Sequence, residues 1–274
     1  MINKIKSWLI NNINSKYLEL LTGKGISITK IPATGSVVSD LFPLRIENQW
    51  NTFFELLNYD WILNPEKDNI KSSSVELKFF NKNGEFLKSF SIKNSKRLKN
   101  TLNLKKIANQ LGIKIDGSFA VFHEHNNLWI SEKGSFIAER GYIGFENKKL
   151  GKIKSFIHGN LDAISQQNDK KILLGNSSFL NKEYYLQHEL SYKFSYELFW
   201  VNSSNRLQHF EIIELRGTEK KSTIFKIKPG GIKSLIIDQN QRQEKTQVII
   251  RSKLYMARPV IFKYMDSSFD VFHG

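Results

Sequence analysis

Short apolar stretches that alternate with polar residues and break at turns rich in Asn and Gly constrain this chain more than any other feature. In SSSVELKFF-NKNG-EFLKSFSI, Val75, Leu77 and Phe79 alternate with Glu76 and Lys78. The turn residues Asn81, Asn83 and Gly84 follow, and Phe86, Phe90 and Ile92 resume the apolar pattern. A period of two puts the apolar side chains on one face of a strand, and an Asn/Gly turn brings the chain back beside itself, so a β-hairpin is expected. SYELFWV-NSSN-RLQHFEII reads as a second hairpin, with Tyr196, Leu198 and Trp200, a turn over Asn202 to Asn205, then Leu207, Phe210 and Ile212.

The parallel between the two halves extends outward from these hairpins. WNTFFELLN (Trp50–Asn58) precedes the first as KEYYLQHEL (Lys182–Leu190) precedes the second. Downstream, RLKNTLNLKKI (Arg97–Ile107) matches TIFKIKPGGIKSLII (Thr223–Ile237), and FAVFHE (Phe119–Glu124) matches QVIIRSK (Gln247–Lys253). SFIAERGYIGF (Ser135–Phe145) then matches ARPVIFKY (Ala257–Tyr264), and SFIHGN (Ser155–Asn160) matches the closing SFDVFHG (Ser268–Gly274).

Similar segments in one order point to an internal duplication. Short strands with few helical patterns point to antiparallel β-sandwiches. The expected fold is therefore mainly β: two tandem antiparallel β-sandwich units from an internal duplication, residues 30–160 and 175–274, joined by a linker over 161–174. Residues 1–29 are expected to form an N-terminal amphipathic helix and lead-in, because Ile2, Ile5, Trp8, Leu9, Ile13, Tyr17, Leu20 and Leu21 fall at helical spacing before Gly23. Within the strand-rich part, NLKKIANQLGI (Asn103–Ile113) suits a short helix, with Leu104, Ile107, Ala108 and Leu111 on one face.

The order of elements in each half resembles the small β-sandwich of the sensory rhodopsin transducer family. The features that carry the likeness are the VELKFFNKNGEFLKSFSI hairpin, the PGGIKSL ridge and the strand running into SKLYMARPVIF. It covers most of each half as a pattern of elements. It implies a signalling or ligand-binding role without a defined chemistry, and no set of functional residues comes with it.

Composition narrows the function classes. At 40% hydrophobic and 12% aromatic residues, the 274-residue chain has ample material for packed cores. The absence of cysteine excludes disulfides and thiolate metal sites. The net charge of +15 is diffuse, with basic runs no longer than pairs such as Lys105-Lys106 and Lys220-Lys221, which suits a solvated basic surface better than a specific nucleic-acid interface. No apolar run is long enough for a membrane span, and the N-terminus is too polar for a secretion signal, so a cytoplasmic protein is expected. An exposed sandwich edge suits cover by the N-terminal helix or by a second subunit in a homo-oligomer.

No nucleophile elbow, phosphate loop, zinc-protease or dinucleotide motif occurs in the sequence. The leading site candidate is the first half's far end, where Arg140, Tyr142, His158 and Asn160 offer a guanidinium, an aromatic ring, an imidazole and an amide to an anionic or saccharide ligand. The expected function is ligand or partner binding without catalysis and without a cofactor. The alternative is a metal-dependent, cupin-like enzyme in which His123 and His125, about 7 Å apart on one face of a strand, hold a divalent metal. In that alternative, His158 and His273 join the site if the two copies face each other. A further stretch, GSVVSDLFPLR (Gly35–Arg45), reads either as a loop positioning Asp40 and Arg45 or as a turn into a buried strand.

Overall fold

The structure, a computed structural model, describes residues 37–57, 74–93, 99–124, 141–151, 154–158, 164–165, 177–239, 244–254 and 257–274. The N-terminal stretch expected as a helix lies outside them. The first half contributes β1 (Val37–Leu44), β2 (Trp50–Leu57), β3 (Ser74–Asn81), β4 (Phe86–Lys93), β5 (Lys99–Asn103), helix α1 (Leu104–Gln110), β6 (Gly117–Glu124), β7 (Gly141–Asn147) and β8 (Lys154–His158). A two-residue strand, β9 (Ile164–Ser165), falls in the expected linker and pairs with β1. The second half contributes β10 (Ser177–Tyr185), β11 (Ser195–Val201), β12 (Gln208–Arg216), β13 (Glu219–Ile227), β14 (Ile232–Asp238), β15 (Gln247–Leu254), β16 (Val260–Tyr264) and β17 (Phe269–His273).

Four antiparallel sheets result. The first half has the orders β4-β3-β6-β1-β9 and β5-β2-β7-β8, and the second has β13-β12-β15-β10 and β14-β11-β16-β17. Apart from β9, each strand of the first half has a counterpart at the same place in the second. The β3–β4 hairpin forms where the alternation put it, with Val75 opposite Ile92 and Leu77 opposite Phe90. The second hairpin is β12–β13, not β11–β12: β11 pairs with β14 and β16, while β12 pairs with β13 and β15 in the facing sheet. The Asn202–Asn205 segment is thus a crossover between sheets. Asn202 is buried there, and its side-chain amide donates to the carbonyls of Arg206 and Ile227 at 2.8 and 2.9 Å. The β2 segment accordingly corresponds to β11, one strand later than the sequence comparison placed it. Val37–Leu44 is a strand paired to β6, with Ser39 opposite Phe122 and Asp40 opposite Val121, so neither the loop reading of the Gly35–Arg45 stretch nor a turn at Ser39-Asp40 holds.

Helix α1 forms where the apolar spacing predicted it. Asn103 caps it by accepting from the Lys106 amide at 2.9 Å, and Leu104, Ile107 and Ala108 are buried.

In the first half, Phe42 and Phe119 from one sheet meet Phe54 from the other at ring-centroid distances of 5.0 and 5.8 Å. In the second, Trp200 lies 6.1 Å from Phe210 and 5.4 Å from Phe225. The β14-β11-β16-β17 sheet packs on both faces through β11, β16 and β17, while Ile236 on its edge strand β14 is exposed. Tyr196, Leu198, Trp200 and Ile261 belong to its own half's core, whereas Phe199, Val260, Phe262, Phe269 and Val271 join the core of the first half. Trp50 sits 4.8 Å from Phe269, and Phe145 sits 4.9 Å from Phe262. Burying a side chain of this size contributes about 1.5–3 kcal/mol, so the second half closes the first half's core.

Among the polar contacts that join the halves, two lie away from the β8–β17 edge. Arg45 donates from one guanidinium nitrogen to Glu197 at 2.8 Å and to the Tyr264 hydroxyl at 3.2 Å, and that hydroxyl donates to Glu197 at 2.6 Å. The guanidinium also lies 4.2 Å over the Trp50 ring and 4.4 Å over Phe262. Burial pushes the Tyr264 phenol above its ordinary range; Arg45 opposes that shift and Glu197 adds to it. At the other contact, the tip of the β3–β4 hairpin meets the Pro229-Gly230-Gly231 loop. The Ile232 amide donates to the Lys82 carbonyl at 3.0 Å, and the Ser118 hydroxyl donates to the Gly230 carbonyl. Gly84 has φ +80 there, and a Cβ on it would fall 1.8 Å from the Pro229 carbonyl oxygen.

Candidate functional site

The outer face of the β5-β2-β7-β8 sheet is built in rows by strand register. Thr101, Glu55, Tyr142 and His158 are successive cross-strand partners, and so are Asn103, Phe53, Gly144 and Phe156 in the next row. Partners directly opposite in antiparallel strands share a face. Alternation explains which face: Ile143, Phe145 and Ile157 point inward and are buried, leaving Tyr142, Phe156 and His158 outward. Tyr142 is 37% exposed and Phe156 39%, on neighbouring rows of the same face.

Gly144 lets the Phe156 ring lie flat on the sheet. A Cβ at position 144 would come within 2.3–2.7 Å of three Phe156 ring carbons, so any other residue would lift the ring. The Lys154 ammonium lies 4.2 Å over the Phe53 ring, and the Thr101 hydroxyl reaches the Glu55 carboxylate at 3.5 Å. The result is a shallow aromatic surface edged by a carboxylate, an ammonium, a phenol and an imidazole. Such a surface can stack on a flat, partly apolar ligand while its rim exchanges hydrogen bonds.

At the edge of this face, β8 meets β17 of the second half. The Ser155 hydroxyl donates to Asp270 at 3.0 Å and accepts from the Val271 amide at 3.1 Å. His273 Nε2 lies 2.7 Å from the His158 carbonyl oxygen, and the two imidazoles are 4.6 Å apart between centroids. A carbonyl can only accept, so Nε2 carries the proton and Nδ1, which is buried without a hydrogen-bond partner, is the bare nitrogen. Burial pulls the His273 imidazole down to about 4, the hydrogen bond to His158 opposes that shift, and Arg258 and His158 add to it.

Of the residues proposed from sequence, Tyr142 and His158 are brought together as direct cross-strand partners. Arg140 and Asn160 lie outside the described residues. So does His125, and for His123 the backbone alone is described, opposite Val38 and Val75. Among the described residues, no three His, Asp or Glu side chains converge as a metal-binding group. Phe53, Glu55, Lys154 and Phe156 were not singled out from sequence. The alternation of Phe156 with His158 in SFIH was the available signal for one of them. Phe53 and Glu55 lie far away in the chain and join through register alone.

No protein-family model matches the sequence. A comparison with curated proteins finds no match either. Among solved structures, the chain is similar to a glycosyl hydrolase family 2 member from Bacteroides cellulosilyticus at 8% identity and TM-score 0.22, covering 87% of this chain and 28% of that one. It is also similar to Bacteroides uniformis beta-glucuronidase 2 at 12% identity and TM-score 0.19, covering 89% of this chain and 27% of that one. The chain thus spans under a third of either enzyme, and at these TM-scores the likeness says nothing of its activity. Among the described residues, no helix is long and apolar enough to cross a membrane.

Proposed function

We propose that this chain is a non-catalytic binding protein, made by copying one β-sandwich module, whose ligand face is the outer side of the β5-β2-β7-β8 sheet. The matching strand orders of the two halves support the copying. The ligand is a saccharide, with an acidic one preferred. The observation that carries the reading is the exposed pair Tyr142 and Phe156, the latter laid flat on Gly144, with Glu55, Lys154 and His158 around them.

A pyranose presents an apolar C–H face to such rings and hydroxyls to the rim. Glu55 accepts from hydroxyls, and Lys154 donates to a uronate carboxylate. Kinship with the sensory rhodopsin transducer family belongs to the same proposal, as a shared module that binds and does not catalyse. No observation on the described residues favours the metal-dependent enzyme.

The test is affinity electrophoresis of the full chain in gels containing a polyuronate, a neutral glucan or polyphosphate. Retardation in the polyuronate gel, abolished by Phe156→Ala and by Tyr142→Ala, is the expected result. Equal migration of wild type and both variants in every gel refutes it. Equal retardation by polyphosphate would mean that diffuse positive charge, not the face, does the binding.

A further inference from the structure

Sequence aligns His158-Gly159 with His273-Gly274, and the ladders agree: Gly144 and Tyr142 oppose Phe156 and His158, as Phe262 and Val260 oppose Val271 and His273. The two histidines therefore hold counterpart positions in the two halves. In the first half that face is exposed. In the second half the counterpart face, with Phe199, Val260, Phe262 and Val271, is turned against the first half and buried. The ligand face consequently occurs once, and its copy serves as the docking surface beside it.

We infer that the second half positions this ligand face, with Asp270 and His273 of β17 holding the outer edge of β8, the strand that carries Phe156 and His158. The inference rests on the saccharide reading only for what the face binds. β8 has five residues and pairs with β7 alone, at the edge of its sheet. A strand this short, laddered on one side, frays readily.

On its other side, the Ser155 contacts and the His273–His158 hydrogen bond take the place of a ladder, one at each end of the strand. Ser155, between Lys154 and Phe156, is anchored to Asp270 and to the Val271 amide, while the His158 carbonyl is anchored to the buried imidazole. A ring on a fraying strand loses freedom when it stacks on a ligand, which weakens binding unless the strand is already held. Strand β8 must therefore be held still, and β17 is what holds it.

Amide hydrogen exchange of the full-length chain at pH 7 tests this, read by NMR and paired with the polyuronate gel assay. His273→Leu is expected to speed exchange of the 154–158 amides about tenfold, the equivalent of one lost hydrogen bond, and to weaken polyuronate binding by a similar factor. The β12 and β15 amides in the second core keep wild-type rates. His273→Gln, which retains a side-chain N–H, recovers most of both losses.

Unchanged exchange over 154–158 in His273→Leu overturns the inference, as does faster exchange with undiminished polyuronate binding. Uniformly faster exchange that includes β12 and β15 also overturns it, since that is general destabilisation. A wild-type chain that ignores the polyuronate counts against the saccharide reading alone, because the exchange rates decide the positioning.

Discussion

Replacing Glu197 by Gln probes the joint between the halves most directly. The Arg45 and Glu197 side chains are 9% and 10% exposed, and they meet at 2.8 Å where the second half's sheet fills the first half's core. Glu197→Gln keeps an acceptor for the Tyr264 hydroxyl but removes the charge that compensates the guanidinium. Arg45 is left with the Tyr264 hydroxyl and the faces of Trp50 and Phe262, each ring worth roughly 1–2 kcal/mol when desolvated, and its Nε has no hydrogen-bond partner.

Breaking a buried pair from one side costs about 3–5 kcal/mol; the retained acceptor and the two rings put this variant at the lower end, about 3 kcal/mol. With a urea slope of roughly 3 kcal/mol per molar, the midpoint should fall by about 1 M. Urea unfolding followed by far-UV circular dichroism and by Trp fluorescence measures it. Both probes should shift together, because Trp50 and Trp200 lie in cores that share one sheet. Arg45→Met combined with Glu197→Met should recover at least half of the loss, since no charge is then stranded. A Glu197→Gln midpoint within about 0.2 M of wild type would refute the claim that the pair is desolvated and its charge needed.

Gly144→Ala should tip the Phe156 ring off the sheet and abolish polyuronate retardation, while the melting temperature stays within about 2 °C because the ring is already partly exposed; calorimetry beside the gel assay checks both. Gly84→Ala should cost more than about 2 kcal/mol, since both the positive φ and the Pro229 carbonyl oppose a Cβ, and urea unfolding would reveal it. For acid stability, the folded His273 pKa near 4 lies below its ordinary 6.5. The unfolded chain thus takes up the proton first as pH falls. The stabilisation is complete above pH 6.5 and lost by pH 4, amounting to about 2–3 kcal/mol. His273→Gln should flatten the stability profile over that window, and an unchanged slope between pH 6.5 and 4 would refute it.

The sequence by itself determined the strands and most of their inward faces. Val75, Leu77 and Phe79 lie where a period of two puts them, α1 follows its apolar spacing, and the ordered recurrence of segments anticipated two halves with one strand order. Alternation and helix spacing are properties of neighbours in the chain, where pleat and helix pitch fix direction. The segment matching between the halves, by contrast, runs one strand out of step at β2 and at the hairpins. Tertiary structure alone decided the rest. SYELFWV alternates like half of a hairpin, yet β11 leaves β12 for the facing sheet, because pairing is chosen by long-range packing and not by the turn.

Glu55 reaches Tyr142, and Tyr142 reaches His158, through register between distant strands. The equivalent histidines differ most of all. Nothing local distinguishes His158 from His273, and it is the docking of one sheet onto the neighbouring core that leaves the first exposed and buries the second. Burial is a property of what packs on a face, and the chain carries no local record of its partner.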